Sequence, residues 1–169
     1  MTTYAVQPLA EPLSHDGSDV GVLVLHGFTG SPQTMRPVAD ALVADGYTVE
    51  LPRLPGHGTA VEDMLETTFD DWSAHVEATY VDLAARVQCV VVVGLSMGGT
   101  LAAQLVARHP EIVGAVLVNA LVVPFDPSLL TRFWGSSHRP SPNGSRPRSP
   151  RRPRPRSRAG RTSSPATTP

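Results

Sequence analysis

The stretch "VVVVGLSMGGT", residues 90–100, runs four valines directly into a serine bracketed by glycines. Consecutive β-branched residues favour an extended strand, and the segment from Met97 to Arg108 reads as a helix, so the serine is expected in the turn between them. The valine run is continuous, "QCVVVVG" over 88–94, as are "VGVLVLHG" (20–27), "YTVELP" (47–52) and "VGAVLVN" (113–119). Unbroken apolar runs, as opposed to alternating ones, are how strands covered on both faces read. Helical segments separate them, near 33–45, 70–86 and 97–108, with Gly46 and Pro110 as stop signals. Strand and helix in alternation imply a mostly parallel sheet with right-handed crossovers and helices on both faces, an α/β fold of the doubly wound kind.

A chain of 169 residues has the length of one domain. Its net charge of -1 conceals a division: residues 1–134 hold all 15 acidic residues with 5 Arg, whereas residues 135–169 hold 9 Arg and no acid. Every basic residue is Arg; there is no Lys. The opening "MTTYAVQPLAEPLSHDG" lacks the basic and apolar regions of a signal peptide, and no apolar run approaches the roughly 20 residues that span a bilayer. A soluble, cytoplasmic protein is expected. Cys89 has no second cysteine to pair with and, within a valine run, reads as a small buried hydrophobe. No internal repeat is visible. From Gly135 the composition changes to 9 Arg, 8 Pro and 8 Ser with two Ala as the only apolar residues. Such a segment buries too little surface to offset its ordering entropy. The expected organisation is therefore a partial α/β domain over 1–134 and a disordered Arg/Pro/Ser-rich tail over 135–169.

Gly94-Leu95-Ser96-Met97-Gly98 fits G-x-S-x-G. The bare pattern is weak, but its placement between an apolar strand and a helix is what a nucleophile elbow requires, where glycines two positions either side of the serine remove clashes in a very tight turn. The bland reading is a serine that merely caps the helix. A second segment supports the chemical one. "LHGFTGSP" (25–32) closes the first strong strand with a loop containing two glycines. Acyl transfer develops an oxyanion that preorganised N–H donors must meet; Met97, following the serine, supplies one such amide, and Phe28 in His26-Gly27-Phe28 is placed to supply the other.

With "HGFTGSP" at 26–32, "LPRLPGHG" at 51–58, "DDW" at 70–72 and "GLSMGG" at 94–99, the chain resembles the α/β-hydrolase fold family, and within it small bacterial carboxylesterases and monoacylglycerol-lipase-like enzymes. The likeness runs from about Val20 to Asn119. It implies a serine hydrolase that cleaves carboxylic esters through an acyl-enzyme on Ser96, with the Phe28 and Met97 amides as oxyanion hole, a small-molecule ester as substrate, and no metal or organic cofactor. In this family the acid and the histidine follow the serine on loops after later strands; here the recognisable sheet ends with the strand at about 113–119, and no counterpart of those loops or of the cap follows. Asp126 and His138 stand in the right order but in a Pro-flanked loop and in the polar tail. His26 and His57 read as structural, and His75 and His109 as ordinary helical positions. A catalytically inactive, truncated hydrolase fragment is accordingly the alternative.

Arg, Pro, Ser, Gly and Ala are what GC-rich codons yield out of frame, so the preferred reading of residues 135–169 is a frameshift that replaces the rest of the hydrolase. An inert solvated tail is the second reading. The third and weakest is a nucleic-acid-binding tail, since "RPRSPRRPRPRSR" has the charge for phosphate contacts but no aromatics to stack on bases. The strand at 113–119 is apolar on both faces and expects a neighbour, so self-association through the exposed sheet edge is anticipated.

Overall fold

The computed structural model describes residues 4–121. Asp126, His138 and the boundary and tail read around residue 135 lie outside the described residues. The elements follow in the order β1 (Leu13–His15), β2 (Val20–Leu25), α1 (Pro32–Ala44), β3 (Thr48–Leu51), α2 (Val61–Leu65), α3 (Phe69–Ala84), β4 (Cys89–Leu95), α4 (Met97–Arg108) and β5 (Gly114–Val118). All four strands and three helices read from the sequence are present. The two additions are β1, too short to carry a pattern, and α2, which buries none of its residues.

The strands lie side by side in the order β1-β3-β2-β4-β5. β1 runs antiparallel to β3, while β3, β2, β4 and β5 are mutually parallel. The chain thus steps outward from β2 to β3, then returns across β2 to lay down β4. That reversal makes the carboxyl ends of β2 and β4 a topological switch point, the kind of place where open α/β sheets bind ligands.

Alternate residues of β2 face opposite layers. Val22 and Val24 pack with Val49 and Leu51 of β3 against Met35 and Ala39 of α1. Leu23 and Leu25 pack with Val90 and Val92 of β4 against Trp72, Val76 and Leu83 of α3 and Leu101 and Leu105 of α4. Burial of each such side chain stabilises the fold by about 1.5–3 kcal/mol. Helices therefore cover both faces of β2, and the fold is doubly wound. α1 stops where expected: Gly46 takes φ 86°, and the Gly46 and Tyr47 amides close back on the Val43 and Leu42 carbonyls at 3.0 and 3.1 Å. At the start of α3, Thr68 and Asp71 form a reciprocal capping box.

The continuous apolar run of β4 does not have both faces fully buried. Val90, Val92 and Gly94 are buried beneath α3 and α4, whereas Cys89, Val91, Val93 and Leu95 are only half-buried. The reading of Cys89 as a fully buried hydrophobe is corrected accordingly. α1 sits over β2 and β3 and does not extend over the far side of β4. On β5, Ala115, Val116, Leu117 and Val118 are all exposed. Among the described residues β5 pairs with β4 alone.

Candidate active site

Ser96 lies between the end of β4 and the start of α4, with φ 53° and ψ -117°, a region that side-chain-bearing residues rarely adopt. Its neighbours make that turn sterically possible. A Cβ on Gly94 would stand 2.3 Å from the Gly98 carbonyl oxygen, and one on Gly98 would stand 2.4 Å from the Leu25 oxygen and 2.5 Å from the His26 oxygen. Backbone thus packs on backbone at both positions, and α4 is drawn against the end of β2. The Ser96 side chain is exposed, and its Oγ takes part in no hydrogen bond among the described residues. Ser96 is the N-cap residue of α4 through its backbone, while its side chain makes no capping hydrogen bond.

The second predicted segment arrives beside it. Gly27 abuts the Ser96 turn so closely that an added Cβ would stand 3.3 Å from both the Ser96 Cβ and the Leu95 oxygen, and 3.9 Å from the serine Oγ. The structure therefore brings "HGFTG" and "GLSMG" into contact. Phe28 follows Gly27 with its side chain 53% exposed, and Thr29 takes φ 58°, which turns the loop sharply back toward α1. Among the described residues the Phe28 and Met97 amides have no hydrogen-bond partner, so both donors remain available at this end of the sheet.

Two buried histidines hold the Phe28 loop from behind. His26 is fully buried; its Nε2 accepts from the Leu54 amide at 3.2 Å, which leaves Nδ1 to donate to the Gly27 carbonyl at 3.0 Å. Burial disfavours its charged form and lowers its pKa to about 4. His57 donates from Nδ1 to the Pro55 carbonyl at 2.9 Å, and burial likewise lowers its pKa. Its Nε2 is buried and finds no partner among the described residues. The Trp72 indole N–H donates to the same Pro55 carbonyl at 3.1 Å and to Thr67 Oγ1 at 3.0 Å. Ring centroids of Trp72 and His57 are 5.2 Å apart, and the Phe28 ring stands 5.8 Å from Trp72 and 6.1 Å from His57. Loop 52–58 and α3 are thereby locked against the Phe28 loop. Both histidines are held by backbone hydrogen bonds, as structural residues would be, and Trp72 of "DDW" ties together three segments that the motif alone does not connect.

Neither His26 nor His109 is placed to serve Ser96. His26 has both ring nitrogens engaged. His109 does meet carboxylates, with Nε2 on Glu77 and Nδ1 on Glu111 at 3.0 Å, but it sits beyond the far end of α4. Twelve helical residues at the rise of an α-helix put it roughly 18 Å from the serine. Burial opposes its charge, yet the hydrogen bonds and charges of Glu77 and Glu111 prevail and raise its pKa. His75 is half-buried on α3, with its pKa lowered by burial and then by Arg53. A cavity of 230 Å³ beside the loop is lined by Thr29, Thr34, His57, Thr59 and Met64 among others, and its lining includes neither Ser96 nor Met97. No group of His, Cys, Asp and Glu with the makings of a metal site occurs among the described residues, and no helix there is long and apolar enough to cross a membrane.

Comparison with known proteins gives a consistent picture. A family model described as "Alpha/beta hydrolase family" matches residues 22–168. The thermostable monoacylglycerol lipase of Bacillus sp. (strain H-257) is 55% identical over 119 residues, which is 70% of this chain and 48% of that protein. A carboxylesterase of Bacillus subtilis (strain 168) is 34% identical over 96 residues, 56% of this chain and 39% of that one. Among solved structures, one from "LipS and LipT, two metagenome-derived lipolytic enzymes" superposes with a TM-score of 0.70 at 44% identity, covering 75% of this chain and 52% of the other. The chain spans about half the length, or less, of these relatives.

Proposed function

Because the chain belongs to the α/β-hydrolase family, we propose that its Ser96 is the nucleophile of carboxylic ester hydrolysis and that the Phe28 and Met97 amides receive the oxyanion. Ser96 Oγ bonds to the carbonyl carbon of the ester while a general base takes the hydroxyl proton. The carbonyl electrons move to oxygen, where the two amides stabilise the charge, each donor contributing about 3 kcal/mol in systems of this kind. Collapse expels the alcohol, which leaves with the proton, and water then releases the acid from the acyl-enzyme by the same steps. The residues in hand supply nucleophile and oxyanion donors. His26 does not supply the base, since both its ring nitrogens are engaged, and neither does His109, which lies beyond the far end of α4.

The observation that carries this reading is the contact of Gly27 with Ser96, in a turn whose backbone is strained and whose glycines leave the hydroxyl exposed. The relatives named lipase and carboxylesterase support an ester as substrate. A second reading, a non-catalytic chain, is favoured by the distance of His109 from Ser96 and by the fully engaged ring of His26. p-Nitrophenyl butyrate separates the two: the wild-type chain should release nitrophenol above the rate of Ser96→Ala, and equal rates would overturn the catalytic reading.

A further inference from the structure

The 230 Å³ cavity beside the Phe28 loop is lined by polar groups that the fold leaves without partners. It lies where α1 begins, between Ser31 and Gln33 on one side and His57 on the other. The two sides meet closely, since a Cβ on Gly58 would stand 3.3 Å from the Ser31 Cβ. Ser31 is the N-cap of α1 and only 8% exposed, yet its hydroxyl makes no capping hydrogen bond and has no other partner among the described residues. A serine at this position ordinarily satisfies one of the first helical amides. Here the Gln33 amide, in the first turn, has no partner among the described residues, and Pro32 before it has no N–H. His57 is 2% exposed. Its Nδ1 donates to the Pro55 carbonyl, so Nε2 of the neutral ring is an acceptor, and that buried atom is unpaired. Leaving a buried acceptor unpaired is costly.

We propose that this cavity is a binding site for a compact uncharged molecule that carries a carbonyl oxygen next to a hydroxyl, the chemistry of a small hydroxy amide. The carbonyl accepts from the Ser31 hydroxyl and the Gln33 amide at the positive end of α1. The hydroxyl donates to His57 Nε2 and supplies the partner it lacks. Val61 and Met64, also in the lining, receive the carbon skeleton. Charge selects the class. No Arg, Asp or Glu lines the cavity, so an anion finds no counter-ion and faces the lone pair of His57, while a cation meets the positive helix end. Asp63, the nearby carboxylate, is engaged by Thr59 Oγ1 at 2.5 Å. Size agrees: at about 30 Å³ of liquid volume per water, the cavity holds roughly seven waters, the bulk of a molecule of about six heavy atoms. Because the lining includes neither Ser96 nor Met97, this binding is independent of the proposed catalysis.

The test titrates lactamide into the full chain carrying nitrogen-15 histidine and follows the His57 Nε2 resonance, assigned by its loss in His57→Gln. A saturable upfield shift, as an acceptor nitrogen gains a hydrogen bond, is the expected result. Ser31→Ala should keep the urea midpoint of the wild type, because the hydroxyl bonds to nothing in the described chain, and should weaken lactamide binding by about fivefold or more, the loss of one hydrogen bond. Val61→Trp, at a lining position 64% exposed, should obstruct the cavity and also weaken binding. Ser96→Ala should bind lactamide like the wild type. Lactate, of the same size but charged, should bind more weakly. Absence of a saturable shift overturns the proposal, as does binding indifferent to both Ser31→Ala and Val61→Trp. Lactate binding as tight as that of lactamide overturns the uncharged class, and loss of binding in Ser96→Ala overturns the independence of the site.

Discussion

The Gly98 α-carbon lies against the Leu25 carbonyl, so close that a single added methyl would stand 2.4 Å from its oxygen. This contact joins the start of α4 to the end of β2, and through them the serine turn to the Phe28 loop. Gly98→Ala forces backbone to move, since no flexible side chain is there to yield. Overpacking of this kind costs about 1–3 kcal/mol, and the backbone contact puts the expected loss at the upper end. Urea denaturation of the two proteins measures it, and an unchanged midpoint would refute the steric account.

Ser96→Gly should do the opposite. A strained side-chain-bearing residue costs on the order of 1–3 kcal/mol, and glycine returns part of that gain as extra unfolded-state entropy, about 0.5–1 kcal/mol. The net expectation is a gain of about 1 kcal/mol, or a thermal midpoint about 2–4 °C higher for a chain of this size. Scanning calorimetry of wild type and variant reads this directly, and a lower midpoint would mean that the serine backbone is not strained.

Acid should loosen the Phe28 loop. His26 holds its proton with a pKa of about 4 in the fold, against 6.5 when exposed. Between those values the unfolded chain binds more protons, so stability falls as the pH drops from 6.5 toward 4. The loss from His26 alone is on the order of 3 kcal/mol, and His57, shifted in the same direction, adds to it. Urea midpoints should fall as the pH is lowered across that range, and His26→Gln should flatten the dependence even if it lowers stability at pH 7.

His109 carries the reverse sign. Glu77 and Glu111 raise its pKa despite partial burial, so its contribution is complete below pH 6.5 and is lost as the pH rises through its higher value in the fold. His109→Gln should therefore destabilise the chain at pH 6 and have a smaller effect at pH 9. Equal effects at both would show that the imidazolium makes no net contribution.

Much of this architecture was legible because its signals are local. Unbroken Val and Leu runs identify strands within a few residues, and Gly46 stops α1 by its own backbone conformation. β1 escaped because Leu13–His15 has too few residues for a pattern and exists by pairing with Leu51, Glu50 and Val49, far along the chain. α2 escaped because a five-residue helix with nothing buried has no apolar period. At the candidate site, the strand-to-helix turn at Ser96 and its meeting with the Gly27 loop were legible from glycine spacing beside strands. The ties of Trp72 to Pro55 and of His26 to Leu54 were not, because they link residues 17 and 28 positions apart through carbonyls and amides that every residue carries. The face of β4 left open by α1 was misread for a related reason: four valines report that both faces are apolar, not that both have found cover.

The steric pattern around Ser96 also governs how the motif decays under drift. Any side chain at Gly94 or Gly98 collides with backbone, whereas exchange of the serine itself for glycine relieves a conformation held at φ 53°. In a lineage where the hydroxyl is no longer selected, folding alone still defends the flanking glycines, while nothing in folding defends the serine. The motif erodes from its centre outward, and the mould of the turn outlasts the atom it was shaped to present.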